Sequence, residues 1–224
     1  MPFARPRIVR VMAQGKIYLP PSVIDYPRNG RFEMVARRVL AIEGGHAQAL
    51  ADKGGETQYG ISLRFLVAEG AIDANHDGFK DYDLDMDGDI DGADVRALSE
   101  DDAFDLYYRC FWRKLDLDRL PAPIDGAVFD QAVNCGCKTA VKLLQKALRR
   151  CEIKLSITVD GVLGQATCAD ALNVMRQGEA HLADLVRKYR EEAELHYDAI
   201  VRADPSQVEW LNGWVNRARK LGNV

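Results

Sequence analysis

Between residues 73 and 94 the chain carries nine aspartates and a single lysine, and no other stretch limits the fold so strongly. Carboxylates this dense repel one another, so the segment must either stay solvated or gather its side chains around a cation. The spacing favours the cation. Counted from Asp83, the side chains of Asp83, Asp85, Asp87, Asp91 and Asp94 fall at positions 1, 3, 5, 9 and 12 of a calcium loop. Gly88 stands at position 6, where a sharp turn is needed, Asp89 offers its carbonyl at position 7, and Ile90 stands at position 8. Asp94 replaces the longer Glu usual at position 12. An overlapping loop runs from Asp73 through Asn75, Asp77, Gly78 and Asp81, but Leu84 occupies its twelfth position. That loop is incomplete unless Asp83 reaches round. The cofactor expected here is Ca2+. A sensor pairs two helix-flanked loops and opens an apolar groove; a short insertion within a helical pattern reads better as a staple.

Around this insertion the periodicity is helical. RFEMVARRVLAIE, from residue 31, sets Phe32, Val35, Val39 and Ile42 on one stripe, and Gly44-Gly45 follows as a stop. Further helices are expected near 62–69, 99–115, 122–134, 137–151, 165–176, 179–202 and 206–221, with a short hairpin around 54–61. VRALSE reads as a brief helix leaving the acidic loop. Ser99, followed three residues on by Asp102, forms a variant capping box. Residues 1–30, with Pro20, Pro21 and Pro27, read as an extended arm or a short strand. The fold class is mainly α.

Outside the acidic segment, 29 basic side chains stand against 25 acidic ones, a mild excess that suits an anionic polymer as partner. No apolar run reaches the roughly 20 residues of a membrane span, and MPFARPRIVR lacks an apolar segment behind its charges, so neither membrane insertion nor a signal peptide is expected. Five cysteines, Cys110, Cys135, Cys137, Cys151 and Cys168, are odd in number and lack CxxC spacing. They read as free thiols in packing positions rather than a disulfide or zinc framework.

The stretch EGGHAQALADKGGETQYGIS, residues 43–62, carries the chemistry. Glu43 ends an amphipathic helix, where the negative end of the helix dipole and apolar neighbours both disfavour its ionised form, as a general acid at neutral pH requires. Asp52 and Thr57 follow across a Gly-rich turn. Glycoside hydrolysis uses one acid on the leaving oxygen and a second polar group that activates or positions water. The Glu, Asp, Thr order is similar to that of phage-type lysozymes.

The same residues resemble glycoside hydrolase family 108, the N-acetylmuramidases of phage endolysins and secretion activators. Their hallmark, roughly EGGYxNDPxDPGGETxxGI, aligns without a gap on EGGHAQALADKGGETQYGI. His46, Gln48 and Lys53 depart from it, and Ala49-Leu50 stands where the family has Asp-Pro. The resemblance continues through LYYRCFWRKLDLDRLP, AVFDQAVNCG, AVKLLQKAL, VDGVLGQAT and EWLNGWVNRARKL, covering about residues 31–221. It implies a lysozyme-like helical catalytic domain over 31–221, behind the 1–30 extension. Within that domain the resemblance places the hairpin near the active site and a peptidoglycan-binding-like portion over 122–221; the EF-hand-like insertion at 73–94, read from its spacing, is not part of the minimal family pattern.

Cleavage of the β-1,4 bond between N-acetylmuramic acid and N-acetylglucosamine in bacterial peptidoglycan follows as the expected activity. Glu43 is the implied proton donor, with Asp52 and Thr57 holding water. Gln48, Tyr59 and Asn134 are candidate sugar contacts: an amide, an aromatic face, and an amide aligned with a family asparagine. The expected enzyme is a monomer without nucleic-acid partners, held in the host cytoplasm until a holin opens the membrane. A non-catalytic calcium-dependent wall-binding or export-accessory protein is the alternative. Tyr107, Tyr108, Phe111 and Trp112 lie at helical spacing and read mostly as core. Trp210 and Trp214, four apart, read as one apolar helix face that closes the core.

Overall fold

The structure, a computed structural model, describes residues 10–11, 17–18, 30–43, 56–73, 78, 80–151 and 157–223. The chain divides into two compact units, 1–110 and 111–224.

The first unit opens with β1 (Arg10–Val11) and β2 (Ile17–Tyr18), paired antiparallel. Helix α1 (Arg31–Glu43) follows. Its stripe is the expected one: Phe32, Val35 and Val39 are buried, joined by Ala36, while the side chain of Ile42 lies outside the described residues. β3 (Thr57–Gln58) and β4 (Ile61–Ser62) make the hairpin, in register Thr57 with Ser62 and Gln58 with Ile61. Ser62 then caps α2 (Leu63–Glu69), its hydroxyl accepting the Phe65 N–H at 3.2 Å. After the acidic segment come α3 (Gly92–Ala97) and α4 (Glu100–Tyr107).

The capping box expected at the start of α4 is present: the Asp102 carboxylate accepts the Ser99 N–H at 2.8 Å, and the Ser99 hydroxyl accepts the Asp102 N–H at 3.2 Å. Phe104 of α4 meets Phe32 of α1 edge to face with ring centres 6.3 Å apart, and Tyr108 meets the same ring at 5.0 Å.

A π-helical turn, Tyr108–Arg113, interrupts the expected 99–115 helix and contains the unit boundary. In the second unit Phe111 and Trp112 pack against Phe129 with ring centres 6.5 and 5.7 Å apart. The Trp112 indole N–H donates to Asp118 at 3.0 Å, beside a 3₁₀ turn at Leu117–Arg119. The core is built by α5 (Ile124–Cys135), α6 (Cys137–Arg149), α7 (Gln165–Arg176), α8 (Glu179–Ala203) and α9 (Val208–Ala218), with α6 against α5 and α8, and α9 against α8. These helices fall within a few residues of the expected spans.

The fragment VDGVLGQAT packs as a turn against α6. Buried Gln145 of α6 accepts the Gly161 N–H at 2.8 Å and donates to the Asp160 carboxylate at 2.8 Å and the Val162 carbonyl at 3.0 Å. Gly161 is at φ +81°, and a Cβ there would stand 2.7 Å from Lys138 Cγ, so the turn requires glycine. Among the described residues no helix is long and apolar enough to cross a membrane.

Candidate active site

Glu43 is the last residue of α1, a helix with no basic residue in its final turn. The backbone at Glu43 therefore ends a helix whose last carbonyls, unsatisfied within the helix, carry negative partial charge. The Glu43 side chain, Gln48 and Asp52 lie outside the described residues.

Thr57 is exposed on β3. The turn between β3 and β4 has Tyr59 at φ +52° and Gly60 at φ +74°, the two left-handed residues of a type I′ hairpin. Tyr59 is half-buried, and its carbonyl accepts the Tyr107 hydroxyl at 2.9 Å. The hairpin is tied down further by Ile61, which is buried, and by the Leu63 N–H, which donates to the Glu56 carbonyl at 3.0 Å. Glu56 also pairs with Arg96 of α3. A Cβ at Gly92, the first residue of α3, would lie 2.4 Å from a Glu56 carboxylate oxygen.

The acidic loop adopts the turn its spacing predicts. Gly88 is at φ +108°, and the nearly buried Asp83 carboxylate accepts the Asp87 N–H at 3.1 Å and the Gly88 N–H at 3.0 Å. Asp83, Asp85 and Asp87 bring one oxygen each to within 4.8 Å of one another, close enough for a shared cation. Burial and the Asp87 and Asp94 charges push the Asp85 carboxyl above its ordinary range, and the Asp87 charge foremost raises that of Asp89. Such a cluster is relieved by a cation.

Asp91 and Asp94 do something the ligand count did not foresee. They form a capping box on α3: the Asp91 carboxylate accepts the Ala93 N–H at 2.5 Å, and Asp94 accepts the Asp91 N–H at 2.8 Å. Fully buried Asp94 also accepts from the Leu84 and Asp85 amides. Its oxygens thus support the loop backbone. In the overlapping loop, Gly78 is at φ +90° and its N–H donates to Asp73 at 3.0 Å, the same bond that Gly88 makes to Asp83. Asp81 is buried there, and Asn75 and Asp77 lie outside the described residues.

Asn134 sits on α5 in the second unit, with both ends of its amide engaged. It donates to the Tyr197 hydroxyl at 2.5 Å and accepts from Arg217 at 3.4 Å. Tyr197 donates in turn to Gln131 at 2.8 Å, and Arg217 pairs with Asp130 at 2.6 Å. In this geometry Asn134 ties α5 to α8 and α9. The reading of Trp210 is corrected. Trp214 stacks on Tyr197 at 5.4 Å, but Trp210 is 57% exposed and closes no core.

Sequence reasoning placed Tyr107 correctly in the core, where it is 1% exposed, yet missed its hydroxyl contact with the hairpin turn. It also missed the Glu56–Arg96 pair, for which the only signal was one more acidic side chain in GGET.

Residues 36–136 match the family model described as Glycosyl hydrolase 108, and residues 139–219 match that of a Predicted Peptidoglycan domain. No curated protein matches the chain in sequence. Among solved structures, that of Brucella abortus SagA is similar, with TM-score 0.63 and 26% identity over 87% of this chain and 93% of that one. The mainly helical, lysozyme-like fold is shared with that protein.

Proposed function

We infer that a chain matching Glycosyl hydrolase 108 over residues 36–136 and a peptidoglycan domain over residues 139–219 is a peptidoglycan hydrolase, a glycoside hydrolase acting on the bacterial wall. The observation that carries this reading is the first match, which takes in the whole of EGGHAQALADKGGETQYGI, Glu43 at the end of α1, and Thr57 on its hairpin. The bond cleaved is the β-1,4 link from N-acetylmuramic acid to N-acetylglucosamine. Glu43 gives its proton to the glycosidic oxygen as the bond to the anomeric carbon lengthens and positive charge builds on the sugar ring. Asp52 and Thr57 orient the water that completes hydrolysis; the Thr57 hydroxyl can accept from that water and donate at once. Gln48 and Tyr59 serve as sugar contacts. The enzyme acts as an endolysin, leaving the cytoplasm when a holin opens the membrane.

Glu43→Gln keeps the shape of the acid and removes its proton. Lysis of purified walls should fall by a factor of order 10² or more, with the thermal midpoint nearly unchanged. A variant that keeps more than about a tenth of the parent rate would place the acid elsewhere.

Calcium belongs to the same proposal. Asp83, Asp85 and Asp87 fit it as a cluster, with the Asp89 carbonyl as a further oxygen. Bound there, the ion supplies structural cross-linking of the loop and no step of the reaction.

A further inference from the structure

We propose that Tyr107 is a positioning residue for this hydrolase, and that α4 is the bracket holding the Glu43 helix and the Thr57 hairpin in fixed relation. The proposal rests on the assignment of Glu43 and Thr57 to the reaction. The hairpin has two residues in each strand, too short a ladder to hold its own shape in water. Its turn places Tyr59 at φ +52°, a conformation that a bulky side chain rarely adopts and that persists only where surrounding contacts impose it. The Tyr107 hydroxyl imposes it, donating to the Tyr59 carbonyl at 2.9 Å across 48 positions of sequence. The Tyr107 ring is itself 1% exposed, so the donor is fixed by core packing and cannot follow a wandering turn.

Three residues earlier, and so on a neighbouring part of the same helix surface, Phe104 packs edge to face on Phe32 of α1. One helix therefore touches both the element that ends in Glu43 and the element that presents Thr57. Arg96, paired to Glu56 just before β3, steadies the hairpin's other end. That pair is exposed and contributes less than the buried phenol does.

The test removes one oxygen. In Tyr107→Phe, amide exchange followed by mass spectrometry should quicken in residues 57–62 and stay at parent rates in α5 to α9. The kcat on purified wall should drop about tenfold, the scale of a misplaced reacting group, with KM little changed. The effect should also pass through Thr57: Tyr107→Phe added to Thr57→Ala should cost far less than it costs the parent. Unchanged exchange in the hairpin, or losses that simply multiply in the double variant, would overturn the proposal. If the parent protein hydrolyses no wall glycan, the functional assignment fails, and the exchange experiment alone still decides whether Tyr107 holds the turn.

Discussion

A single residue's role depends on what its side chain meets, and sequence reports that unevenly. The backbone placement of Glu43, Thr57 and Gly88 was legible because it follows from neighbours a few positions away: a helix stop, a Gly-rich turn, the sixth place of a loop. Tyr107 was legible as a ring and illegible as a hydroxyl, since its acceptor lies 48 residues distant. The cysteines behave as packing residues: none of the five is in a disulfide, and burial above all pushes the Cys135 thiol up to about 12.

The Trp210 and Trp214 pair shows where periodicity misleads. Four-residue spacing puts both on one face, but Trp210 lies in the first turn of α9, just after the chain leaves the 3₁₀ turn Pro205–Gln207. The stacking partner Tyr197 is reached one turn later. Trp214→Ala should therefore cost about 2–3 kcal/mol, whereas Trp210→Ala should stay within about 0.5 kcal/mol of the parent. Urea titrations of the two variants decide; equal losses would return Trp210 to the core.

At the scale of elements, the acidic loop and the VDGVLGQAT turn show two ways a short segment is held. In the loop, like charges oppose the fold, and the proposed calcium ion would gather them. Chelation should lower the thermal midpoint, and calcium should restore it in proportion to the logarithm of its concentration. Magnesium should substitute poorly because it demands near-octahedral geometry. Identical melting in EDTA and in millimolar calcium would remove the ion from the account. The motif spacing made the loop legible, but not the second employment of Asp94. A carboxylate aligned with a ligand position was free, in the folded chain, to cap α3 and take the Leu84 and Asp85 amides.

The VDGVLGQAT turn is instead held by one neutral amide and a single carboxylate. Gln145 satisfies an N–H, a carboxylate and a carbonyl at once, and the bonds from Gln145 and Val162 hold the Asp160 carboxyl below its ordinary range, with Val162 the larger cause. Because a buried network fails as a unit, Gln145→Ala should cost on the order of 3 kcal/mol. Calorimetry showing under about 1 kcal/mol would mean that water replaces the amide.

For the whole molecule, the order of the helices among the described residues was readable from periodicity, while the division into units was not. The boundary between the compact units falls between residues 110 and 111, inside the stretch that periodicity reads as one helix over 99–115. Tyr107 joins the first core; Phe111 and Trp112, a turn later, join the second through Phe129. A stripe of apolar residues says that a helix is buried and is silent on which core receives each turn.

Residues 36–136 match the hydrolase family model and residues 139–219 the peptidoglycan domain, and the proposed activity is cleavage of a wall glycan with Glu43 as the acid. Mass analysis of the muropeptides released from purified peptidoglycan tests it most directly. The parent protein should release fragments ending in reducing N-acetylmuramic acid, and Glu43→Gln should release almost none. Fragments ending in N-acetylglucosamine, cleaved peptide stems with intact glycan, or undiminished release by Glu43→Gln would contradict it.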